Sequence, residues 1–182
     1  MPKIVDHESR RREIAQKATE VFLDLGYKNI GMRQLCEQLG MSKSAVYHYY
    51  KSKDELFKAA TEAIVNFDVE MLAGRPSAAE ATPTQQVENF VLIFEQMAPR
   101  FFQEMKLVAD YIDVIGQQNV ATDACMLLAN QKYTAMLESY VSPLHKESLY
   151  TLILGLLNHQ VMLGKALDKT FVTEQVERVL IN

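Results

Sequence analysis

Apolar residues return every three or four positions along almost the whole chain, and nowhere does an every-second-residue alternation persist. The pattern predicts helices throughout and therefore an all-α fold. A first helix runs from His7 to Leu25, with Ile14, Ala18, Val21, Phe22 and Leu25 on one face and Gly26 ending it. A short second helix, Met32 to Leu39, turns Leu35, Cys36 and Leu39 inward. A third begins after Ser42 and adds Val46 and Tyr50 to the same small core. A fourth opens on Ser52-Lys53-Asp54-Glu55, read as a capping box in which Ser52 and Glu55 satisfy each other's backbone donors. It continues inward-facing through Leu56, Phe57, Ala60, Ile64, Phe67 and Met71 to Gly74. At about 20 residues, or ~30 Å by the rise per residue, it is long enough to join two domains.

Residues 74–84, GRPSAAEATPT, read as a linker from their Pro, Ala, Thr and Ser content. Five further periodic segments follow: 84–97, 100–115 after Pro99, 119–141, a long one to Leu167 with Pro143 at its first position behind Ser142, and 173–181. The expected organisation is a helix-turn-helix domain over 1–51, with its motif at 31–50, and a second domain over 52–182 that contains the linker.

The stretch GMRQLCEQLGMSKSAVYHYYKSK, residues 31–53, carries the clearest functional signal. Gly40 lets the second helix stop and the chain turn within about three residues. Ser42 is a good N-cap, and the helix behind it presents Lys43, Ser44, Tyr47, His48 and Tyr49 before a basic Lys51-Ser52-Lys53 turn. Two short helices so joined, the second polar on one side, are the helix-turn-helix by which a recognition helix enters a major groove.

Charge sharpens this picture. The chain carries a net −4, but residues 1–60 hold 11 Lys/Arg against 8 Asp/Glu, while the remainder holds 8 against 15. A mildly basic head on an acidic body suits a protein that meets double-stranded DNA with one end only. The Arg10-Arg11-Arg12 run sits at the helix end that the dipole makes less favourable for cations, so it is either a solvated face or a contact for an external anion. Cys36 and Cys125 lie 89 positions apart with no CxxC spacing and no nearby His, which reads as two buried free thiols, with no metal site and no cofactor. The start MPKIVDHESRRRE has no apolar signal core, and the longest apolar run, Leu152–Leu157, is too short to span a bilayer; a cytoplasmic protein without membrane contact is expected.

Physical roles follow from the residue types. Lys43, near the start of the recognition helix, can donate to guanine O6 and N7; Ser44 stands beside it, and the Ala45 methyl suits a thymine methyl. Tyr47, His48 and Tyr49 offer hydrogen bonds to phosphate oxygens. Ser42 and Lys53 flank free helix N-termini, which are themselves anion sites, and Arg33 is placed for a phosphate or a base edge. Tyr50 reads as core packing.

With the helix ending FLDLGYKNIGMRQL and the following LGMSKSAVYHYYKSKDELF, the chain resembles the TetR-type bacterial transcriptional regulators over roughly residues 8–60. Turn glycine, capping serine, Tyr-x-Tyr pair and Lys-Ser-Lys-Asp-Glu-Leu all fall at family spacing. The sequence departs from the commoner pattern at Gly31-Met32, where the family often has a Thr cap. The resemblance implies an all-α homodimer that is not an enzyme. Its heads read the half-sites of a palindromic operator, and its C-terminal helices bind a small-molecule effector that releases a repressor from DNA.

The C-terminal residues allow such roles without naming a ligand. Phe94, Met97, Phe101, Tyr111, Met126, Tyr133 and His159 are candidates for an adaptable, largely apolar pocket. Leu149, Leu152, Ile153, Leu156, Gln160, Leu163, Gly164 and Leu167 form a stripe that reads as too wide for one neighbour in the chain, hence a two-fold dimer interface. Asp110 and Asp113, three apart, read as a solvated edge. Two other readings compete: a TetR-like adaptor for a protein partner, against which the intact Lys43, Tyr47 and Lys53 set argues, and a helical enzyme, for which no nucleophile–base pair or phosphate loop is present.

Overall fold

The computed structural model describes residues 6–181, and among these every regular element is a helix. In chain order they are α1 (His7–Leu25), α2 (Met32–Gln38), α3 (Lys43–Tyr49), α4 (Lys53–Glu70), α5 (Pro83–Met97), α6 (Phe101–Ile115), a 3-10 turn (Gln117–Asn119), α7 (Ala124–Tyr140), α8 (Lys146–Leu163) and α9 (Lys169–Ile181). No helix among the described residues is long and apolar enough to cross a membrane.

Two compact units emerge. One comprises the chain up to Asn66 together with Gln103–Ala129; the other comprises Phe67–Phe102 and the chain from Asn130 onward. These divide the chain differently from the expected 1–51 and 52–182, because residues 103–129 are grouped with the head.

The first unit is built on α1. Its buried face, Ile14, Ala15, Ala18 and Phe22, meets Leu35 and Cys36 of α2, Val46 of α3, and Leu56, Phe57 and Ala60 of α4. Burial of each large apolar side chain contributes roughly 1.5–3 kcal/mol. The Thr19 hydroxyl crosses to the Ala60 carbonyl at 3.2 Å. Leu107, Tyr111 and Cys125 close the same core. Both cysteines are buried free thiols, and burial pushes both thiols up from their ordinary range.

In the second unit α5 packs on α9 and α8 on α9. The core joins Leu72, Phe90, Ile93 and Leu137 to Leu149, Ile153, Leu157, Val172 and Val176. Here the end of α4 and the two residues after it present a different face from the one periodicity suggested. Phe67 and Met71 are exposed, whereas Val65, Asp68 and Leu72 are buried. The reason is Asp68, whose carboxylate receives the Arg100 guanidinium and the Tyr133 hydroxyl (3.2 Å). Burial pushes the Asp68 carboxyl above its ordinary range, against the pull of Arg100.

Several expected boundaries and roles are corrected. The 74–84 segment is not a free linker: Ala78 is buried and donates to the Ser139 carbonyl at 2.7 Å, while Arg75 and the buried Asn89 bind each other at 2.7 Å. The reciprocal capping box sits at Thr82 and Gln85, where Pro83 opens α5. At the start of α4 only half of the expected box forms. Ser52 Oγ accepts the Glu55 N–H at 3.0 Å, but Glu55 turns to the Lys51 N–H instead of Ser52. Helix α4 ends at Glu70 rather than Gly74. Helix α7 starts at Ala124 because the Asp123 carboxylate accepts the Cys125 and Met126 N–H groups. Pro143 lies outside α8, which begins at Lys146 and ends at Leu163, so Gly164 and Leu167 are beyond it. Helix α9 begins four residues earlier than expected, with Asp168 accepting the Thr170 N–H at 2.8 Å.

Candidate nucleic-acid interface

The turn between α2 and α3 closes by backbone hydrogen bonds alone. The Gly40 N–H donates to the Glu37 carbonyl at 3.1 Å and the Met41 N–H to that of Cys36 at 3.0 Å. This is the Schellman closure, and it requires the left-handed φ of 63° that Gly40 adopts. Ser42 Oγ then accepts the Ala45 N–H at 3.2 Å and starts α3; the Ser44 hydroxyl lies 3.1 Å from it. Gly31, by contrast, caps α2 without a side chain.

One face of α3 is anchored. Val46 and Tyr50 are buried, and the Tyr50 hydroxyl donates to the Arg11 carbonyl at 2.8 Å. The Arg11 guanidinium lies 4.3 Å from the Tyr50 ring centroid and donates to the Tyr49 carbonyl at the end of α3. It also reaches Glu55 Oε1 at 2.7 Å. The opposite face holds Lys43, Ser44, Tyr47 and His48, all exposed, with Lys43 Nζ 5.5 Å from the Tyr47 ring centroid. Ala45 and Tyr49 are half-buried.

The Arg11–Glu55 pair is the electrostatic clamp of this assembly. The Arg11 hydrogen bond, backed by the Lys51 N–H, holds the Glu55 carboxyl below the usual carboxylate range, and Glu55 in turn raises Arg11. Of the arginine run, Arg10 pairs with Glu13 at 2.6 Å and Arg12 is exposed without an ion pair among the described residues. The run is thus neither wholly solvated nor wholly directed outward. Sequence reasoning missed the clamp; the arginine run was its one visible trace, but a pairing 44 positions apart has no local pattern. It also missed His7, whose ring lies 5.6 Å from that of His48.

Two expected contacts change. The Lys53 ammonium does not project outward: it donates to the Tyr27 carbonyl at 3.0 Å and lies over the Tyr27 ring. Arg33 is exposed but already pairs with Glu37 at 3.1 Å, one helical turn on. Such exposed pairs are worth little, so Glu37 holds Arg33 only weakly.

The C-terminal candidates separate. Phe94 and Met97 are buried in the second unit, where Phe101 and Tyr133 pack against the same core. Tyr111 and Met126 belong to the first unit, and the Tyr111 hydroxyl is committed to Asp123 at 3.0 Å. His159 is exposed, with its ring 6.1 Å from Phe171. None of the seven lines the groove of about 440 Å³ between α5 and α9 or the shallow hollow of about 600 Å³ beside the 3-10 turn. The dimer stripe is also divided. Leu149, Ile153 and Leu156 are buried in their own unit's core, Leu152, Gln160 and Leu167 are half-buried, and Leu163 and Gly164 are exposed. The stripe looked too wide for one neighbour because it meets α5 as well as α9.

Residues 14–60, from within α1 to the first turns of α4, match the family described as "Bacterial regulatory proteins, tetR family". Over that stretch, its helix-turn-helix, the chain is similar to the tetR family. Among relatives, the HTH-type transcriptional regulator PksA of Bacillus subtilis is 36% identical over 64 residues, which is 35% of this chain and 31% of that protein. The HTH-type transcriptional activator FasR of Mycolicibacterium smegmatis is 30% identical over 125 residues, 65% of this chain and 56% of that protein. The chain thus spans about a third to just over half of these relatives' length. Among solved structures, the multidrug binding protein EbrR, complexed with imidazole, has the same fold, with a TM-score of 0.67 at 17% identity. That match covers 98% of this chain and 93% of EbrR's.

Proposed function

We propose that this chain is a tetR-type DNA-binding transcriptional regulator, a repressor that reads a palindromic operator as a homodimer in the cytoplasm and is released by a small, largely apolar effector. The observation that carries the reading is α3 itself: Val46 and Tyr50 fasten it from below, while Lys43, Ser44, Tyr47 and His48 stand free on the other side. Lys43 and Ser44, in its first turn, read base edges with the Ala45 methyl, and Tyr47, His48 and Tyr49 hold phosphates. Arg33 and Ser42 add contacts at the helix starts. Lys53 acts from behind, through Tyr27.

Two copies joined through the exposed edge of α8 and α9, where Met162, Leu163 and Phe171 are uncovered, would present two such helices one DNA turn apart, about 34–36 Å. The effector reading is supported by the exposed Phe67, Met71 and Phe102 and the half-buried Phe101 and Tyr133, all in the second unit. Selection from a pool of random 30-base-pair duplexes tests the DNA reading. Recovery of a two-fold symmetric sequence is the expected outcome, and a pool that stays random would sink it. A panel of apolar compounds, scored for release of the recovered duplex, then tests the effector reading; none releasing it would remove that part.

A further inference from the structure

The chain segment that leads from α1 into the helix-turn-helix is gripped by a residue far away in sequence. Asp110, in α6, accepts through Oδ2 the backbone N–H groups of both Tyr27 and Lys28, each at 2.6 Å. These two amides lie between the end of α1 and the start of α2, where no helical carbonyl is available to them. A carboxylate receiving two N–H donors is among the stronger polar contacts a protein makes. The approach is so close that a Cβ at Gly26 would stand 2.9 Å from the same oxygen, and Gly26 itself holds a φ of 77°.

The grip continues on both sides. The Tyr111 ring meets Tyr27 edge-on at 4.8 Å and Phe57 at 4.6 Å. From α4, Lys53 binds the Tyr27 carbonyl and Asp54 accepts the Tyr27 hydroxyl. Tyr27 is therefore a joint at which α4 and α6 meet the turn that leads from α1 into α2. Helix α6 is tied in turn: Tyr111 donates to Asp123, whose other oxygen caps the first turn of α7.

We propose that Asp110 is a positioning residue for the DNA-reading head. Its carboxylate sets the orientation of the α1–α2 turn, and through it of α2 and α3, without touching DNA. Any displacement of α6 then reaches the head through two backbone hydrogen bonds. The role rests on the DNA-binding reading above.

Asp110→Ala, Asp110→Asn and the neighbouring exposed Asp113→Ala in the full chain test it. Without DNA, the Tyr27 and Lys28 amide protons should exchange about tenfold faster or more in Asp110→Ala, as expected for loss of hydrogen bonds to a charged acceptor. They should be intermediate in Asp110→Asn, which keeps a carbonyl oxygen, and unchanged in Asp113→Ala. The decisive readout is discrimination, the affinity for the selected duplex over that for a scrambled one. A residue that merely stabilised the fold would lower both affinities together. Asp110→Ala should cut the ratio about tenfold while leaving the salt dependence of binding unaltered, because no phosphate contact is lost. If Asp110→Ala does not fold, Asp110→Asn carries the same test with a smaller expected loss. Unchanged exchange at residues 27 and 28, or a duplex recovered but discriminated equally well by the variants, overturns this role alone. Failure to recover any duplex overturns the DNA-binding reading and this role with it.

Discussion

Lys43 and Arg11 show how two cations of one head divide the work. Lys43 stands exposed at the start of α3, so Lys43→Ala should leave the thermal midpoint within about a degree or two, since surface changes stay within ~0.5 kcal/mol. It should weaken binding to the selected duplex by about tenfold or more, the loss of one specific base contact. Equal affinity in a filter or anisotropy titration would remove Lys43 from the readout. Arg11 is spent within the protein, on Tyr49, Tyr50 and Glu55. Glu55 consequently has a depressed folded value, and the sign of its pH effect follows. Its stabilisation is complete above the unfolded glutamate value of about 4.3 and is lost as the pH falls below that through the lower folded value. Glu55→Gln should therefore have a lower urea midpoint than the wild type at pH 7 and converge on it toward pH 3. A gap that stayed constant with pH would mean that the carboxylate charge plays no part. The exposed position of Lys43 was readable from its place after Ser42. The inward turns of Arg11 and Lys53 were not, because a long cationic stem reaches partners that only folding brings near.

Helix α8 separates core from surface within a single element. Leu149 is fully buried, whereas Leu163 is 46% exposed and Met162 68% exposed. Leu149→Ala should cost about 2–5 kcal/mol, a transfer loss plus a cavity, and read out as a lowered denaturation midpoint. Leu163→Glu should leave that midpoint nearly unmoved at fixed, low protein concentration and give monomers in sedimentation. A dimer that survives Leu163→Glu would place the interface elsewhere. Periodicity found α8 but not which of its leucines are free, since a 3.6-residue stripe records how much apolar face exists, not how many neighbours share it. Helix ends behaved similarly. Gly26 and Ser42 were legible because each answers a local backbone need. The start of α7 was not, because the 3-10 turn and the Asp123 cap intervene within an unbroken polar stretch.

On the scale of the whole molecule, charge and symmetry make the quantitative claim. Two heads, each with two cationic contacts, Lys43 and Arg33, predict a log–log slope of roughly −4 for affinity against salt, from counterion release. A slope near zero between 50 and 300 mM salt, on the order of the usual working range, would exclude phosphate contact as the basis of binding. The acidic remainder, with 15 Asp/Glu against 8 Lys/Arg, would confine that contact to the heads. The division of the molecule is less simple than a head followed by a body. Residues 103–129 complete the head's unit, so elements far beyond the helix-turn-helix take part in holding it.

By itself the sequence determined what local forces decide. These are the helical character of every segment, the turn at Gly40, the cap at Ser42 and the polar face of α3, each set by residues within a few positions of one another. Tertiary structure alone decided which polar groups meet. Asp110 reaches Tyr27 and Lys28 across more than 80 positions, Arg11 reaches Glu55 across 44, and the buried Asp68 meets Arg100 across 32. A hydrogen bond's partner depends on where the packed helices bring it, and nothing in the spacing of either residue along the chain encodes that place.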